Sequence, residues 1–317
     1  MLDVSRNFMK HLTLLIGFIN LSLLLTAQPK SLVNKSDTIL YLPYENGKAP
    51  FSIKGKMGII DSAGKVIMPA TFSRLSKLYD ADTPFPYYTY EEKGEEGILD
   101  KNFNVIIPSG KYDDIDILID GLFKVKKDGK YSFVNTAGIC FTQWFDNVEF
   151  FRHGLAPVKS NGKWGFIDKN GQLIIDYKYS KVYVFAPNGL AAIKEKSHWG
   201  FIDTKGNTVI KPQYDDISFF WGNACAVKLY SKWGYIDRTN NVVIPFIYEE
   251  AESFMSDLAL VKYDGKYGYI NIKNEVIIPF KFKKASSFTE SAANTMVKLN
   301  RKWIWINKKG ECVSWCD

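Results

Sequence analysis

Lys163-Trp164-Gly165-Phe166-Ile167-Asp168 decides the fold, because the chain repeats it. Its five-residue core begins at Trp164, and sister strings begin at Met57, Glu96, Tyr131, Trp199, Trp233, Tyr267 and Trp303. The starts lie 39, 35, 33, 35, 34, 34 and 36 residues apart. Eight copies at this period describe one repeat array rather than two unrelated domains. The flanks hold the same register. A small residue stands eight positions before the anchor in five copies: Ala49, Ala156, Ala191, Cys225 and Ala259. Asp or Asn follows four positions after every anchor, and Gly or Asn seven after most, as at Gly171, Gly206 and Asn240. Gly and Asn tolerate positive φ, so this is a turn.

Each unit reads as β structure. In the fourth copy Leu155–Lys159 is a short strand (A). Asn161-Gly162 is a tight hairpin signal, shared by Asp128-Gly129 and Asp264-Gly265. Trp164–Asp168 is strand B, Asp168 caps a second turn, and Leu173–Ile175 is strand C. An extended stretch around Lys181–Phe185 is strand D of the next unit. No segment sustains a 3.6-residue period. On strand B, Trp164 and Phe166 face one way, Gly165 and Ile167 the other. Both faces are apolar, so the strand is expected to be central, with Trp199 and Trp233 buried. The glycine is expected to leave room for a neighbouring unit. Ile304 replaces it in the last copy, which is expected to be a cap with no unit beyond.

The string Gly154-Leu155-Ala156-Pro157-Val158-Lys159, followed by Lys163–Asp168, resembles the WG-repeat family of bacterial proteins. The resemblance is strongest over 154–280 and rests on the anchors Trp164-Gly165, Trp199-Gly200, Trp233-Gly234, Tyr267-Gly268 and Trp303. It implies an all-β repeat scaffold with no single established activity. Thr38–Tyr44 resembles strand D, so the units run D-A-B-C without the shared blade that closes many rings. An open, twisted β array is therefore expected, a closed propeller-like ring being the alternative.

Composition bounds the function. Of 317 residues 15% are aromatic, and the net charge is +7 with acids and bases interspersed, which gives no nucleic-acid tract. Arg6 and Lys10 precede an apolar run from Leu12 to Ala27, the marks of a signal peptide cleaved before Gln28. The expected layout is a signal peptide over 1–27, a linker over 28–37, one repeat domain over 38–313 and a tail over 314–317, in an exported chain with no membrane span after cleavage.

Chemistry is scarce. Cys140, Cys312 and Cys225 align with small apolar core positions, and Cys312 and Cys316 pair only if the tail turns. His153 and His198 have no cysteine at metal-site spacing, so neither metal nor cofactor is expected. Asp113-Asp114, Asp215-Asp216 and Glu249-Glu250 recur in register, as structural rather than catalytic pairs. There is no nucleophile elbow or phosphate loop. A non-catalytic scaffold that binds a protein is the first expectation, a glycan-binding module the second and a hydrolase the third. Tyr79, Phe85, Tyr87, Tyr88 and Tyr90 break the repeat and form the candidate partner patch.

Overall fold

The computed structural model describes residues 46–78, 87–119, 121–220, 222–255 and 257–316. The expected signal peptide, linker and Thr38–Tyr44 lie outside them. The described residues form strands and turns without helix, in eight small antiparallel sheets. No helix among them is long and apolar enough to cross a membrane. In the fourth repeat the sheet order is Asn147–Val148 (D), Leu155–Ser160 (A), Lys163–Asp168 (B) and Leu173–Tyr179 (C). The D-A-B-C order read from the sequence recurs in six sheets.

The Asp or Asn after the anchor builds the same turn in all eight repeats. In the fourth, Asp168 Oδ1 accepts from the Asn170 and Gln172 amides at 2.9 and 2.8 Å. Asn271 does the same in the seventh, with Lys273 and Glu275. A neutral oxygen serves as well as a charged one, which is why the position alternates between the two residues.

Strand C runs further than Ile175, to the recurring aromatic Tyr179, and it bulges. Phe166 pairs with Ile175 and Trp164 with Tyr179, so three residues of strand C arch over Gly165. A Cβ there would sit 2.5 Å from the Ile175 carbonyl oxygen. Gly200, Gly234 and Gly268 face the same carbonyl of their own strand C at 2.5 to 2.7 Å. The glycine therefore accommodates its own sheet and not, as expected, a neighbouring unit. The third repeat shows the alternative. Ser132 replaces glycine, its hydroxyl donates to the Gln143 carbonyl at 2.8 Å, and only isolated bridges at Tyr131–Phe145 and Val134–Cys140 stand in for strand C.

Seven apolar cores occur among the described residues, each between consecutive repeats. The core between repeats 4 and 5 joins Phe166, Ile175 and Tyr179 to Phe185, Ala191, Ile193 and Ile202. The anchor and the residue two beyond it thus face the following repeat, and the glycine face points to the preceding one. Ile304 consequently packs against repeat 7 at 8% exposure. It is not the solvent-facing cap residue the sequence suggested; it fits because strand C of repeat 8 is shortened to Cys312–Ser314 and ends at the partner of Trp305, before the arch that covers the glycine in the other repeats. The opposite face of repeat 8 is open. Ser314 is exposed where Ile244 and Ile278 are buried, and Trp305 is half-buried against Trp315. No eighth core follows repeat 8 among the described residues.

The tail does turn. Trp315 adopts φ 58°, and Cys312 and Cys316 form a disulfide with Cα atoms 5.8 Å apart. Cys312 is thus exposed and bonded rather than a core residue, whereas Cys225 is buried and its thiol is pushed up by desolvation.

Candidate functional site

Strand D is only two residues long in most repeats, but three interactions fix the chain beyond it. The third residue of the segment donates its amide to strand A: Glu149 to Pro157, Tyr183 to Ala192, Ser218 to Ala226 and Glu252 to Leu260, at 2.8 to 3.0 Å. Its carbonyl, in repeats 7 and 8, accepts from a strand-B tyrosine of the preceding unit: Tyr235 to Glu252 at 2.8 Å and Tyr269 to Ser286 at 2.7 Å. The fifth residue is a buried phenylalanine that meets a strand-B ring of the preceding repeat. The pairs Phe133–Phe151, Phe166–Phe185, Phe201–Phe220, Tyr235–Phe254 and Tyr269–Phe288 have centroids 4.9 to 5.1 Å apart.

Held at both ends, the third and fourth side chains of each segment meet those of the adjacent repeat and form rungs. Phe219 stands edge-on to Tyr183 at 4.9 Å. The Ser253 hydroxyl lies 2.6 Å from Ser218, and Ser287 donates to Glu252. Lys124 joins Asp116 to the ring of Phe150 in the same place between repeats 3 and 4. The ladder changes chemistry along the array, from aromatic at Phe150, Tyr183 and Phe219 to polar at Ser253, Glu252 and Ser287.

The most apolar rung spans repeats 5 and 6. Tyr183 lies flat on Trp199 at 5.2 Å and 8°, and Lys194 covers that indole at 5.4 Å. Trp199 is consequently 4% exposed, while Tyr183 and Phe219 remain 38% and 57% exposed. Burial raises the Tyr183 phenol above its ordinary pKa, with the Asp216 charge adding to it. The phenol is therefore a neutral hydrogen-bonding group on an aromatic surface. A strand-A lysine lies over the anchor ring elsewhere too: Lys159 on Trp164, Lys262 on Tyr267 and Lys298 on Trp303. These contacts explain the lysine that closes the Ala-x-Val-Lys string.

Three residues of the sequence-selected patch, Tyr87, Tyr88 and Tyr90, are described, and none of the three stands on an open surface. Tyr79 and Phe85 lie outside the described residues. Tyr88 and Tyr90 are buried strand-A residues between repeats 1 and 2, and the Tyr90 hydroxyl accepts from the Ser109 amide at 2.9 Å. Tyr87 packs edge-on to Phe123 at 5.5 Å. Among the anchors, Trp199 is buried as expected, Trp164, Trp233 and Tyr267 are half-buried, and Trp303 is exposed at 39%. Trp233 was expected to be buried; no ring of its own strand D covers it, because Ser218 stands where Tyr183 stands on Trp199. The rung residues were missed. The phenylalanines at 151, 185, 220, 254 and 288 were the available signal, because they fix the register of strand D.

The repeated carboxylates belong to the structure. Glu250 pairs with Lys262 at 2.9 Å and accepts from Tyr267 at 2.7 Å, and Glu249 accepts from the Gly265 amide. The Glu250 carboxyl is held below its ordinary range, first by the Lys262 bond and then by Tyr267. Among the described residues no group of three or more His, Cys, Asp or Glu could hold a metal ion. Two shallow clefts lie on the surface of the described residues. One of about 310 Å³ lies between the turns of repeats 3 and 4, by Asn135, Gln143 and Lys169. The other, of about 210 Å³, lies between Trp233 and Tyr267.

The family model described as WG containing repeat matches residues 97–131, 145–164, 164–197, 199–233, 233–267 and 267–303. No curated protein matches the chain. Similar solved structures include a eukaryotic initiation factor at 11% identity and TM-score 0.45, covering 90% of this chain and 89% of that one. BamB from Moraxella catarrhalis is 10% identical at TM-score 0.37, covering 87% and 90%. Hsv2 from Kluyveromyces lactis is 12% identical at TM-score 0.34, covering 83% and 94%. At these scores the likeness carries no functional assignment.

Proposed function

Because the chain belongs to the WG containing repeat family, we propose that it is an exported, non-catalytic scaffold that binds a protein partner in the bacterial envelope. The observation that carries this reading is the rung of Tyr183 and Phe219. Two large, partly exposed rings stand at positions that repeats 7 and 8 fill with Glu252, Ser253 and Ser287, so the fold does not require them. Exposed aromatics on a rigid frame are common anchors of protein interfaces. A glycan is the second reading, and it needs an open ring face. Tyr183 has one face on Trp199 and the other against Phe219, so the outer face of Phe219 is what the rung offers a sugar. The absence of catalysis is supported by the engagement of Glu249 and Glu250 in structural bonds. Export is supported by the basic and apolar character of residues 6–27.

The test is photo-crosslinking from the ladder in the envelope of a Gram-negative host, with wild type beside Phe219→Ser. The reading expects a secreted chain whose mass begins at Gln28 and a discrete crosslinked protein lost in the variant. Retention of residues 1–27, or crosslinks indifferent to Phe219→Ser, overturns it.

A further inference from the structure

Each of repeats 2 to 8 sets the first residue of strand D opposite a strand-A residue beside the anchor. Their charges are complementary in four repeats: Arg74 opposite Glu91, Asp114 opposite Lys126, Asp216 opposite Lys228 and Glu250 opposite Lys262. Repeat 2 reverses the signs and still keeps the match, with Arg74 also 3.2 Å from Glu96. The residue before strand D adds a second carboxylate that caps the A–B hairpin tip. Asp146 accepts from the Gly162 amide in repeat 4, and Glu249 from the Gly265 amide in repeat 7.

Repeat 8 breaks both rules. Lys283 and Lys284 replace the two carboxylates, and Lys284 faces Lys298 directly across the ladder. The Lys283 amide donates to the Lys298 carbonyl at 3.0 Å, so the like charges stay together. Like charges directly opposite destabilise a sheet. Arg301 lies at the adjoining hairpin tip, and no carboxylate of the described residues accepts from its amide or pairs with Lys283, Lys284 or Lys298. Lys298 lies 5.9 Å above the exposed ring of Trp303. Repeat 5 shares half the departure. Lys181 faces Lys194, but Ser180 occupies the second position and donates to the Lys194 carbonyl at 3.0 Å.

We propose that this tip of repeat 8 binds a dianionic phosphate ester, seated where repeats 4 and 7 hold their own carboxylate. The place already has the donors that Glu249 meets in repeat 7: a strand-A lysine and a hairpin amide. Replacing two acids by two lysines adds the charge that a dianion neutralises, and lysines and an arginine are suited to phosphate oxygens. Trp303 supplies an apolar wall for whatever carries the phosphate. The site does not depend on the aromatic rung, so it stands or falls separately from the scaffold reading.

The test is calorimetry on the full chain with three probes: inorganic phosphate, glucose 6-phosphate, and phosphatidylcholine vesicles with and without phosphatidic acid. The double variant Lys283→Glu/Lys284→Glu restores the residues of repeat 7, so it is expected to fold and to be at least as stable. Binding of any probe, weakened about tenfold or more in this variant and by added salt, supports the site. Uptake of the small probes identifies a soluble phosphate ester, and uptake of phosphatidic-acid vesicles alone identifies a lipid headgroup. No binding of any probe, or equal binding by the folded double variant, overturns the proposal.

Discussion

Gly234→Ala places a single methyl group under the bulge of strand C. Its Cβ would lie 2.7 Å from the Ile244 carbonyl oxygen and 3.0 Å from both the amide nitrogen and a ring carbon of Phe246. Backbone cannot yield there without disturbing the Trp233–Tyr248 and Tyr235–Ile244 pairs that bracket the bulge. Overpacking a tight site costs about 1–3 kcal/mol, and Gly234→Ile is expected at or above the top of that range. Ile304→Gly is the complementary change. Ile304 is 8% exposed in the core with Leu260, Ile278 and Val297, so it should lose the roughly 2–5 kcal/mol of a large-to-small core substitution rather than a surface-like amount. The assay is urea unfolding followed by tryptophan fluorescence and by hydrogen exchange, because an eight-unit array need not unfold in one step. A lesion in repeat 6 should split the transition, whereas one in repeat 8 should loosen only the end. Changes below about 0.5 kcal/mol at both sites would refute the assignment of the glycine to its own strand C. So would Gly234→Ile tolerated with the amides of Val242–Tyr248 still protected.

Trp199→Ala should cost about 3–5 kcal/mol, while Trp303→Ala, at an exposed site, should stay within about 1 kcal/mol; thermal unfolding of the two variants distinguishes them. Phe254→Ala removes the ring that meets Tyr235 and should also cost about 3–5 kcal/mol, with hydrogen exchange rising first at the Glu252 and Leu260 amides. Asp237 is held at about 2, first by the Asn241 side-chain amide and then by the Asn241 backbone. Its turn should therefore contribute fully above pH 4 and lose that contribution as pH falls through about 2. Asp237→Asn, which copies Asn271, should keep the turn and flatten the dependence of the melting temperature between pH 4 and pH 2. Alkylation without reductant should label Cys140 more readily than buried Cys225 and leave Cys312 and Cys316 unlabelled until reduction, as mass spectrometry would show.

The period, the strand order and the Asx turn were legible because each rests on backbone requirements that recur: positive φ, an oxygen for two amides, alternation along a strand. The role of Gly234 was legible only as a need for space. Both faces of strand B are apolar, so the sequence does not say which neighbour each face meets, and the bulge of strand C leaves no alternation to read. Tyr88 and Tyr90 looked exceptional because extra residues between strand D (Arg74–Leu78) and strand A (Tyr87–Glu92) of repeat 2 hide their register. Tyr88 pairs with Leu99 as Ala156 pairs with Ile167, which makes it an ordinary strand-A position with a larger side chain. Tyr90 is accommodated by its own partner Gly97, whose Cβ would lie 2.4 Å from the Tyr90 ring. The rungs were legible only through the recurring phenylalanines that fix their register, because a two-residue strand D has too few positions to show a period.

That limit has a physical cause that bears on function. In repeats 4 to 8 the third residue of the segment commits its amide to strand A, and in repeats 7 and 8 its carbonyl accepts from a tyrosine of the preceding repeat. Replacing Tyr183 or Phe219 therefore changes the surface without breaking the ladder, whereas replacing Phe185 or Phe220 two or one residues later removes a buried ring. Positions that bind backbone are constrained in every copy; positions that only meet one another across the interface are free to differ. The same logic separates Glu249-Glu250 from Lys283-Lys284, where strand pairing is kept and charge is reversed. Under the proposed scaffold reading, recognition would reside in the residues that escape the repeat, at the strand-D ends and hairpin tips, where substitutions one repeat at a time leave all seven described cores intact.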